Sequence, residues 1–392
     1  FIIIFGSLLR NYYLNGNLNL KFAKPLIFLA EIPSNVKNII LGGDEPPILS
    51  KFQNKPRFKR YNLRDRGYLL ILPRYDSDLK RSVVDLIDID NFKTLHTYKH
   101  NISKFNKTIK TNSTFHSRIH LDFSPIRFLY WHPKILEDSS LIANGSTALF
   151  KIDKCGKLIW YNNKYFFHHS LMFDFDKNIW ASGTLIPNSK FVSKFRRHKD
   201  FMDDAIFKVD SNNGNVLFKK SIIKMLYENK IFNSQQIFDE NVDPIHVNDI
   251  ESAMKDTLYW KKNDLFISIR NQSAIIHYRP STDKVINYIK GPFYMQHDVD
   301  IISDTEISIF NNNNSLDETN NFSEVLTYSF ENQLFEKKFK KSLIQNDFKT
   351  TQGGMSQILD DGSLFLDEQD HGRLLFFDNK GDLEWEYLNK TD

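Results

Sequence analysis

The sequence predicts an all-β protein: a six-bladed β-propeller preceded by a short N-terminal, membrane-proximal segment. Three observations lead to this prediction. From about residue 67, short β-rich runs alternate with turns of Asp, Asn, Ser and Gly; one pair of hairpins recurs along the chain; and helical periodicity is nearly absent outside SIIKMLYENK at 221–230. Regular recurrence of four-stranded units is typical of propeller blades, which bury their faces against one another around a central channel.

Residues 1–66 form the predicted N-terminal segment. The opening FIIIFGSLL is too short to span a bilayer, for which about 20 apolar residues are needed. It is either a buried strand or the end of a signal peptide or signal anchor, and the second reading places the chain in the periplasm or anchors it to the membrane facing the periplasm. The apolar run 25–32 is predicted as a short amphipathic helix, and the basic run 51–66 as a solvated linker.

The first half of each repeat is a strand, an acidic tight turn and a second strand. The turns EDSS, FDKN, SDTE and DDGS contain residues whose side chains or permissive backbones stabilise hairpins. We expect these hairpins at 132–143, 168–181, 296–310 and 353–368, with a longer variant that begins at HVNDIESAM, 246–254.

The second half of each repeat is another β-rich hairpin. We expect these hairpins at 148–161, 205–220, 274–289, 325–339 and 373–387, and the first repeat at 67–75 and 82–98. Residues 67–392 are therefore predicted to form one domain of six four-stranded units. In this scheme 221–230 is an insertion between blades, and the Asn-rich 311–321 is a surface loop.

Composition excludes several functional classes. The net charge is +4, from 52 basic and 48 acidic residues, and gives no support for binding nucleic acid. Cys155 is the only cysteine, so the chain has neither an intrachain disulfide nor a CxxC metal pair. There is no GxxxxGK[ST] loop and no GxSxG elbow, so a phosphate-binding loop and an α/β-hydrolase mechanism lack support.

Histidines recur at one position of the repeat. Counting back seven residues from Asp176 and from Asp304 in the hairpin turns reaches His169 and His297, whereas the last repeat has a glycine there. The first strand of a blade lies innermost, so we expect these side chains at the mouth of the channel. His246 opens a third such strand in DPIHVNDIE, and Arg270 ends the strand that follows it.

The other histidines fall outside this register. Three lie near the start of a blade without matching it: His132, His168 and His371. The remaining six are predicted to be structural: His96, His100, His116, His120, His198 and His277.

The chemistry of such a cluster has two readings. Three converging histidines can hold zinc. An arginine beside them favours an anion with several oxygens instead, since a guanidinium repels a dication and binds phosphate or sulfate esters. We therefore expect neither a metal nor another cofactor at His169, His246, His297 and Arg270.

The segments FHHSLMFD, DPIHVNDIE, SIRNQSAIIHY and GPFYMQHD follow one another as they do in the bacterial arylsulfotransferases, and the chain resembles these PAPS-independent enzymes over about 67–392. The resemblance implies transfer of a sulfuryl group from an aryl sulfate donor to a phenolic acceptor through a sulfohistidine. By these motifs His297 is the nucleophile, and His246, Arg270 and His169 surround the sulfuryl oxygens.

The resemblance does not extend to the N-terminal β-sandwich of well-studied periplasmic members, which supports their dimerisation, or to the disulfide near their active site. Donor, acceptor and oligomeric state stay open. The alternative function is a non-catalytic propeller that binds a ligand or a protein partner at the mouth of its channel, because a fold alone does not imply chemistry.

Overall fold

The computed structural model describes residues 51–108, 128–194, 201–233, 242–313 and 322–390, apart from 53, 63, 77, 146 and 147, together with the isolated positions 5, 29 and 32. Most of FIIIFGSLL, of the run 25–32 and of the Asn-rich stretch 311–321 lies outside these residues, so those three predictions stay predictions. Within the described part of the chain, no helix is both long enough and apolar enough to cross a membrane.

The described strands form six antiparallel sheets in chain order, each of which is one blade. The first blade contains β2 (Leu69–Asp76), β3 (Arg81–Asp88) and β4 (Lys93–Tyr98). The second contains β5 (Tyr130–Ile135), β6 (Leu141–Gly145), β7 (Ala148–Ile152) and β8 (Leu158–Asn162). The third contains β9 (Phe166–Phe173), β10 (Ile179–Thr184), β11 (Asp204–Val209) and β12 (Val216–Ser221).

The next three blades repeat the pattern. The fourth contains β13 (Val247–Ser252), β14 (Leu265–Ile269), β15 (Ala274–Arg279) and β16 (Lys284–Ile289). The fifth contains β17 (Val299–Ile301), β18 (Glu306–Asn311), β19 (Glu324–Ser329) and β20 (Phe335–Lys338). The sixth contains β21 (Met355–Ile358), β22 (Leu364–Glu368), β23 (Arg373–Phe377) and β24 (Leu383–Leu388), with β1 (Phe58–Arg60) paired to β24.

The first strands of neighbouring blades pack against one another: β5 against β9, β9 against β13, and β13 against β17. Each blade therefore presents its first strand to the centre. This arrangement confirms the predicted six-bladed β-propeller and the predicted hairpins of blades two to six.

Two blades depart from the predicted four strands. Among the described residues the first blade has three, because residues 67–75 supply one strand that turns directly into the next and not a hairpin. The sixth has five, because β1 adds to its outer edge. Both departures lie where the two ends of the propeller meet.

The basic run 51–66 is not a solvated linker, and that prediction is wrong. Arg66 donates to both carboxylate oxygens of Glu384, at 2.6 and 2.7 Å, and its side chain is only 4% exposed. Lys55 lies 2.7 Å from Glu386 on the same strand. Both of these basic side chains pair with acids more than 300 positions away, so local sequence did not reveal the pairs.

The hydrophobic core lies between blades. The middle strands β6, β7 and β14 are buried at every position, because both of their faces pack against neighbouring sheets. The outer strand β16 instead alternates between exposed and partly buried residues along most of its length. This difference follows from the radial stacking of the blades.

Short helices fill spaces outside the sheets: α1 (Ile102–Thr108), α2 (Lys190–Ser193), α3 (Ile222–Glu228) and α4 (Lys340–Gln345). The predicted insertion at 221–230 is α3, which is capped by Ser221 through a hydrogen bond from the Lys224 amide. Its apolar face packs between the third and fourth blades, against Trp180 and Ile276 among others.

Candidate active site

The predicted site residues lie at the starts of inner strands in adjacent blades. His169 is in β9, His246 directly precedes β13, and His297 lies two residues before β17. Arg270 directly follows β14 and begins a 3-10 turn, Arg270–Gln272. Its amide donates to the His246 carbonyl at 2.9 Å, so the two residues are neighbours across one blade.

The backbone turns sharply where these histidines lie. His132, His169 and His246 all have positive φ, at 45°, 55° and 54°. The pairing of each inner strand with its neighbour is interrupted around these residues. Such conformations cost about 1–3 kcal/mol each for a non-glycine residue and cluster at functional sites. Three of them at one end of adjacent strands mark this end as a candidate functional site.

Three imidazole rings converge at the mouth of the channel. The ring centroids of His169 and His246 are 4.9 Å apart, and those of His168 and His246 are 6.4 Å apart. The Nδ1 atoms of His168 and His169 are within hydrogen-bonding distance, at 2.7 Å. The exposed Trp131 ring lies 6.5 Å from the ring of His169. The structure therefore places two of the predicted histidines in direct contact.

Carboxylates orient two of these rings. His246 Nδ1 lies 2.6 Å from Asp243 Oδ2, so Nε2 is the nitrogen left to face the channel. His168 Nε2 lies 3.5 Å from Asp204 Oδ1. Asp204 is held in turn by hydrogen bonds from Thr184 and from the Val247 amide, at 3.0 and 2.9 Å.

His297 is buried and is held from both sides of its ring. Nδ1 lies 2.6 Å from Asn312 Oδ1, and Nε2 accepts a hydrogen bond from the Gly353 amide at 2.9 Å. Burial lowers the pKa of His297 to about 4, and the charges of Arg270 and His246 act in the same direction. The ring is therefore a neutral imidazole at pH 7.

The other buried histidines of the mouth are neutral for the same reason. Burial lowers the pKa of His132 to about 4, with contributions from Lys134 and His297. Burial also lowers the pKa of His169 well below its ordinary value, and the neighbouring histidines add to this effect. A neutral imidazole keeps a lone pair that can attack or accept a proton.

Arg270 supplies the fixed positive charge. Nη1 donates to the Asn271 side chain at 2.9 Å, and among the described residues the guanidinium makes no ion pair within 4.0 Å. Burial lowers its pKa from the ordinary value, while Asp243 and Tyr294 oppose that shift. The planar fork thus has donors available for an anion with several oxygens.

Acidic residues follow the histidines along the same inner strands. Asp249 and Glu251 lie on β13, and Asp298 and Asp300 lie on or beside β17. We call these four the inner-strand acids. Burial raises the pKa of each carboxyl, to about 7 for Asp300, and repulsion from neighbouring acids adds to the shift at Glu251, Asp298 and Asp300.

Sequence reasoning did not select two residues of this site. His132 lies six residues before Asp138 in its turn, whereas His169 lies seven before Asp176, so the register count missed it by one. His168 was passed over because its neighbour matched the count. A motif-level signal existed for both, since each adjoins an aromatic residue and opens a repeat.

Several other histidines have partners outside the cluster of His168, His169 and His246. His277 lies 2.9 Å from Asp264 in the outer part of the fourth blade, and His100 lies 2.6 Å from the Tyr130 hydroxyl. His96 contacts the Lys154 carbonyl at 2.8 Å, and His371 lies 3.1 Å from Glu368. Their contacts are structural, and His116, His120 and His198 lie outside the described residues.

Across the described ranges, no three His, Cys, Asp or Glu side chains are arranged so that they could hold a metal ion. The groups described at the mouth include imidazole lone pairs and the guanidinium of Arg270. Such a combination suits covalent transfer of an anionic group.

One solved structure of low sequence identity shares the fold, and two others align over most of the chain with lower TM-scores. A protein of unknown function from Bacteroides caccae aligns over 82% of this chain and 93% of its own, with 12% identity and a TM-score of 0.50. A catalytically inactive variant of virginiamycin B lyase from Staphylococcus aureus, with quinupristin, aligns over 85% and 88%, with 10% identity and a TM-score of 0.40. The WD40 β-propeller domain of Doa1 aligns over 77% and 76%, with 9% identity and a TM-score of 0.38.

A search of curated protein sequences gives no match to this chain. A family model does match: that of the arylsulfotransferases (ASST) matches residues 132–390, which is 259 of 392 residues. The matched region contains the three converging histidines, His297 and Arg270. This chain belongs to the arylsulfotransferase (ASST) family.

Proposed function

We propose that the protein transfers a sulfuryl group from an aryl sulfate ester to a phenolic acceptor, by way of a sulfohistidine at His297. The main support for this proposal is the buried, neutral imidazole of His297, whose pKa is lowered in part by the charges of Arg270 and His246. Such chemistry needs two components. One is a nucleophile with no proton on its attacking nitrogen, and the other is a cation that binds the transferred group.

The first half of the reaction loads the histidine. The Nε2 lone pair of His297 attacks sulfur and forms an N–S bond. The bond from sulfur to the aryl oxygen breaks, and its electron pair leaves with the phenolate. Arg270 and His169 bind the sulfuryl oxygens while charge redistributes between sulfur and the departing oxygen.

His246 is the general acid that protonates the leaving group. Its Nδ1 faces Asp243 at 2.6 Å, which orients the ring and balances its charge when both nitrogens carry hydrogen. Nε2 then donates a proton to the departing phenolate. In the second half, the acceptor phenol returns a proton to His246 as its oxygen attacks sulfur, and the electron pair of the N–S bond returns to His297.

The test is release of a chromogenic phenol from its sulfate ester in the presence of excess phenol acceptor. We expect acceptor-dependent release by the wild type and none by His297→Asn. His96→Asn is the matched control, because this ring lies on the outer strand β4 of the first blade, and it should behave as the wild type.

Two results would contradict the proposal. Release that does not need an acceptor would indicate hydrolysis and not transfer. Mass spectrometry of rapidly quenched protein should find one SO₃ group on His297, and an adduct on another residue would move the nucleophile there. Circular dichroism of His297→Asn is needed to show that the variant remains folded.

A further inference from the structure

The side-chain amide of Asn312 can adopt only one orientation. Its Nδ2 lies 2.8 Å from the Gly353 carbonyl and 3.1 Å from the Thr350 carbonyl. Both are acceptors, so the NH₂ group must face them and Oδ1 must face His297. Asn312 is buried, with 4% of its surface exposed.

We propose that Asn312 is a positioning residue that fixes the tautomer of His297, with hydrogen on Nδ1 and the lone pair on Nε2. An amide oxygen accepts and cannot donate, so the Nδ1 atom at 2.6 Å from Oδ1 has to carry the hydrogen. The catalytic meaning of this assignment rests on the proposed function, but the tautomer itself does not.

A contact from the sixth blade favours the same tautomer, and Asn312 helps to hold that contact in place through its hydrogen bond to the Gly353 carbonyl. The Gly353 amide donates to His297 Nε2 at 2.9 Å, which requires a lone pair on that nitrogen. The segment that presents this amide is tightly held: the Thr351 amide and hydroxyl both donate to Asp370 Oδ2 at 2.6 Å. Gly353 has a φ of 72°, and a Cβ there would lie 1.7 Å from Gln369 Oε1. Only glycine fits this position without rearrangement.

The arrangement has a consequence for the covalent step. When Nε2 attacks sulfur, Nδ1 keeps its hydrogen and the ring gains positive charge, so the hydrogen bond to Asn312 becomes charge-assisted and stronger. The hydrogen bond from the Gly353 amide to Nε2 must break at the same time, because the lone pair is consumed by the new N–S bond. Asn312 thus stabilises the adduct, and Gly353 is freed beside the sulfuryl oxygens.

Nitrogen-15 NMR of histidine-labelled full-length protein reads the tautomer directly. We expect His297 to show a protonated Nδ1 and an acceptor-type Nε2 at pH 7, with the resonances assigned by their loss in His297→Asn. An isolated imidazole prefers hydrogen on Nε2, so the expected result is the opposite of the default. A wild-type His297 with hydrogen on Nε2 would overturn the inference.

The variant Asn312→Leu removes the nearer acceptor of Nδ1 at similar size and leaves only the Met295 carbonyl, at 3.3 Å. We expect a measurable population of the Nε2–H tautomer and a fall in kcat of roughly tenfold or more, with little change in KM. Asn287→Leu is the matched control, since Asn287 Nδ2 lies 3.1 Å from Nδ1 of a different buried histidine, His277, outside the channel. An unchanged His297 tautomer in Asn312→Leu would show that Asn312 does not set it.

The variant Asn312→Asp gives a second readout. A carboxylate accepts from Nδ1 more strongly and stabilises the protonated ring, so the acid limb of the pH profile of kcat/KM should move upward by about one unit or more. The charged and titratable groups described around the His297 ring are Arg270, His246, His169 and His132. They are unchanged in the variant, and an unmoved limb would contradict the inference.

These outcomes separate the inference from the proposed function. The wild type could be inactive toward aryl sulfates while the tautomer still shifts in Asn312→Leu. In that case the role of Asn312 in positioning His297 is supported and the proposed sulfuryl transfer is rejected. If Asn312→Leu does not fold, the wild-type spectrum still tests the inference, because hydrogen on Nε2 of His297 would contradict it.

Discussion

The inner strands β13 and β17 each have a histidine just before them and acids further along. His246 is followed by Asp249 and Glu251, and His297 is followed by Asp298 and Asp300. Burial affects the two groups oppositely, because removal of water penalises the charged form in both cases. It lowers the pKa of buried histidines such as His297 and raises that of the inner-strand acids.

Burial therefore has different chemical consequences for the histidines and for the acids. At the mouth, loss of the proton leaves a lone pair that can act as nucleophile or base. Deeper along the strands, gain of a proton reduces the negative charge that would otherwise repel an anionic substrate. Arg270 cannot lose its charge in either setting, so it keeps a positive charge where a sulfuryl group would bind.

The largest of these expected effects comes from replacing the guanidinium of Arg270. Arg270→Lys keeps the charge but loses the planar fork, and should reduce kcat/KM for transfer about a hundred- to a thousandfold, equivalent to about 3–4 kcal/mol. Steady-state kinetics with an aryl sulfate donor measure this. Arg279→Lys is the matched control, because its guanidinium pairs with Asp264 outside the channel. Equal activity of Arg270→Lys and wild type would remove the fork from the mechanism.

Asp243→Asn tests the proton donor at the mouth. The variant loses the carboxylate that faces His246 Nδ1, and transfer should fall about a hundredfold with donors whose phenol is a poor leaving group. With a nitrophenyl sulfate the loss should be small, since nitrophenolate leaves without a proton. A loss of the same size for both donors would show that Asp243 acts on folding or binding and not on protonation.

The inner-strand acids should matter for stability and not for transfer. Asp300 has a pKa of about 7 in the folded protein against about 3.9 unfolded, so its contribution to stability is full below about pH 4 and is lost as the pH rises through 7. Asp300→Asn should therefore gain stability relative to wild type between these values, by up to about 4 kcal/mol, with kcat/KM unchanged.

Buried histidines have the opposite pH dependence. The pKa of His297 is about 4 folded against about 6.5 unfolded, so its contribution is present above pH 6.5 and is lost as the pH falls through 4. The stability of Asp300→Asn should rise more steeply with pH over this window than that of the wild type. Urea unfolding from pH 4 to 8 measures both curves, with Asp304→Asn, an exposed aspartate in the next turn, as the control.

The smallest expected effect is the pH dependence of transfer by the wild type. Because His297 stays neutral down to about pH 4, kcat/KM should not fall toward acid pH with a midpoint near 6.5, as it would if the nucleophile were an ordinary histidine. The measurement is a pH profile at constant ionic strength over the range in which the protein is folded. A decline centred near 6.5 would place a solvent-exposed imidazole in the rate-determining step instead.

Much of the fold could be read from the sequence because hairpins are local. Turns such as FDKN and DDGS lie between their own strands, so their spacing revealed the recurring units and, through them, His169 and His297. The errors occurred where partners are remote. β1 and the basic run 51–66 belong to the sixth blade through contacts with β24, which no local pattern encodes.

The sequence by itself determined the repeat, the propeller, and the positions of His169, His246, His297 and Arg270 at the ends of strands. Only the tertiary structure decided the protonation and partners of these residues. His132 lies at a shift in strand pairing, and Asn312 and Gly353 contact His297 from just after β18 and just before β21. The physical reason is that period-two patterning specifies which residues form strands, whereas burial and hydrogen bonds between blades arise only when the ring closes.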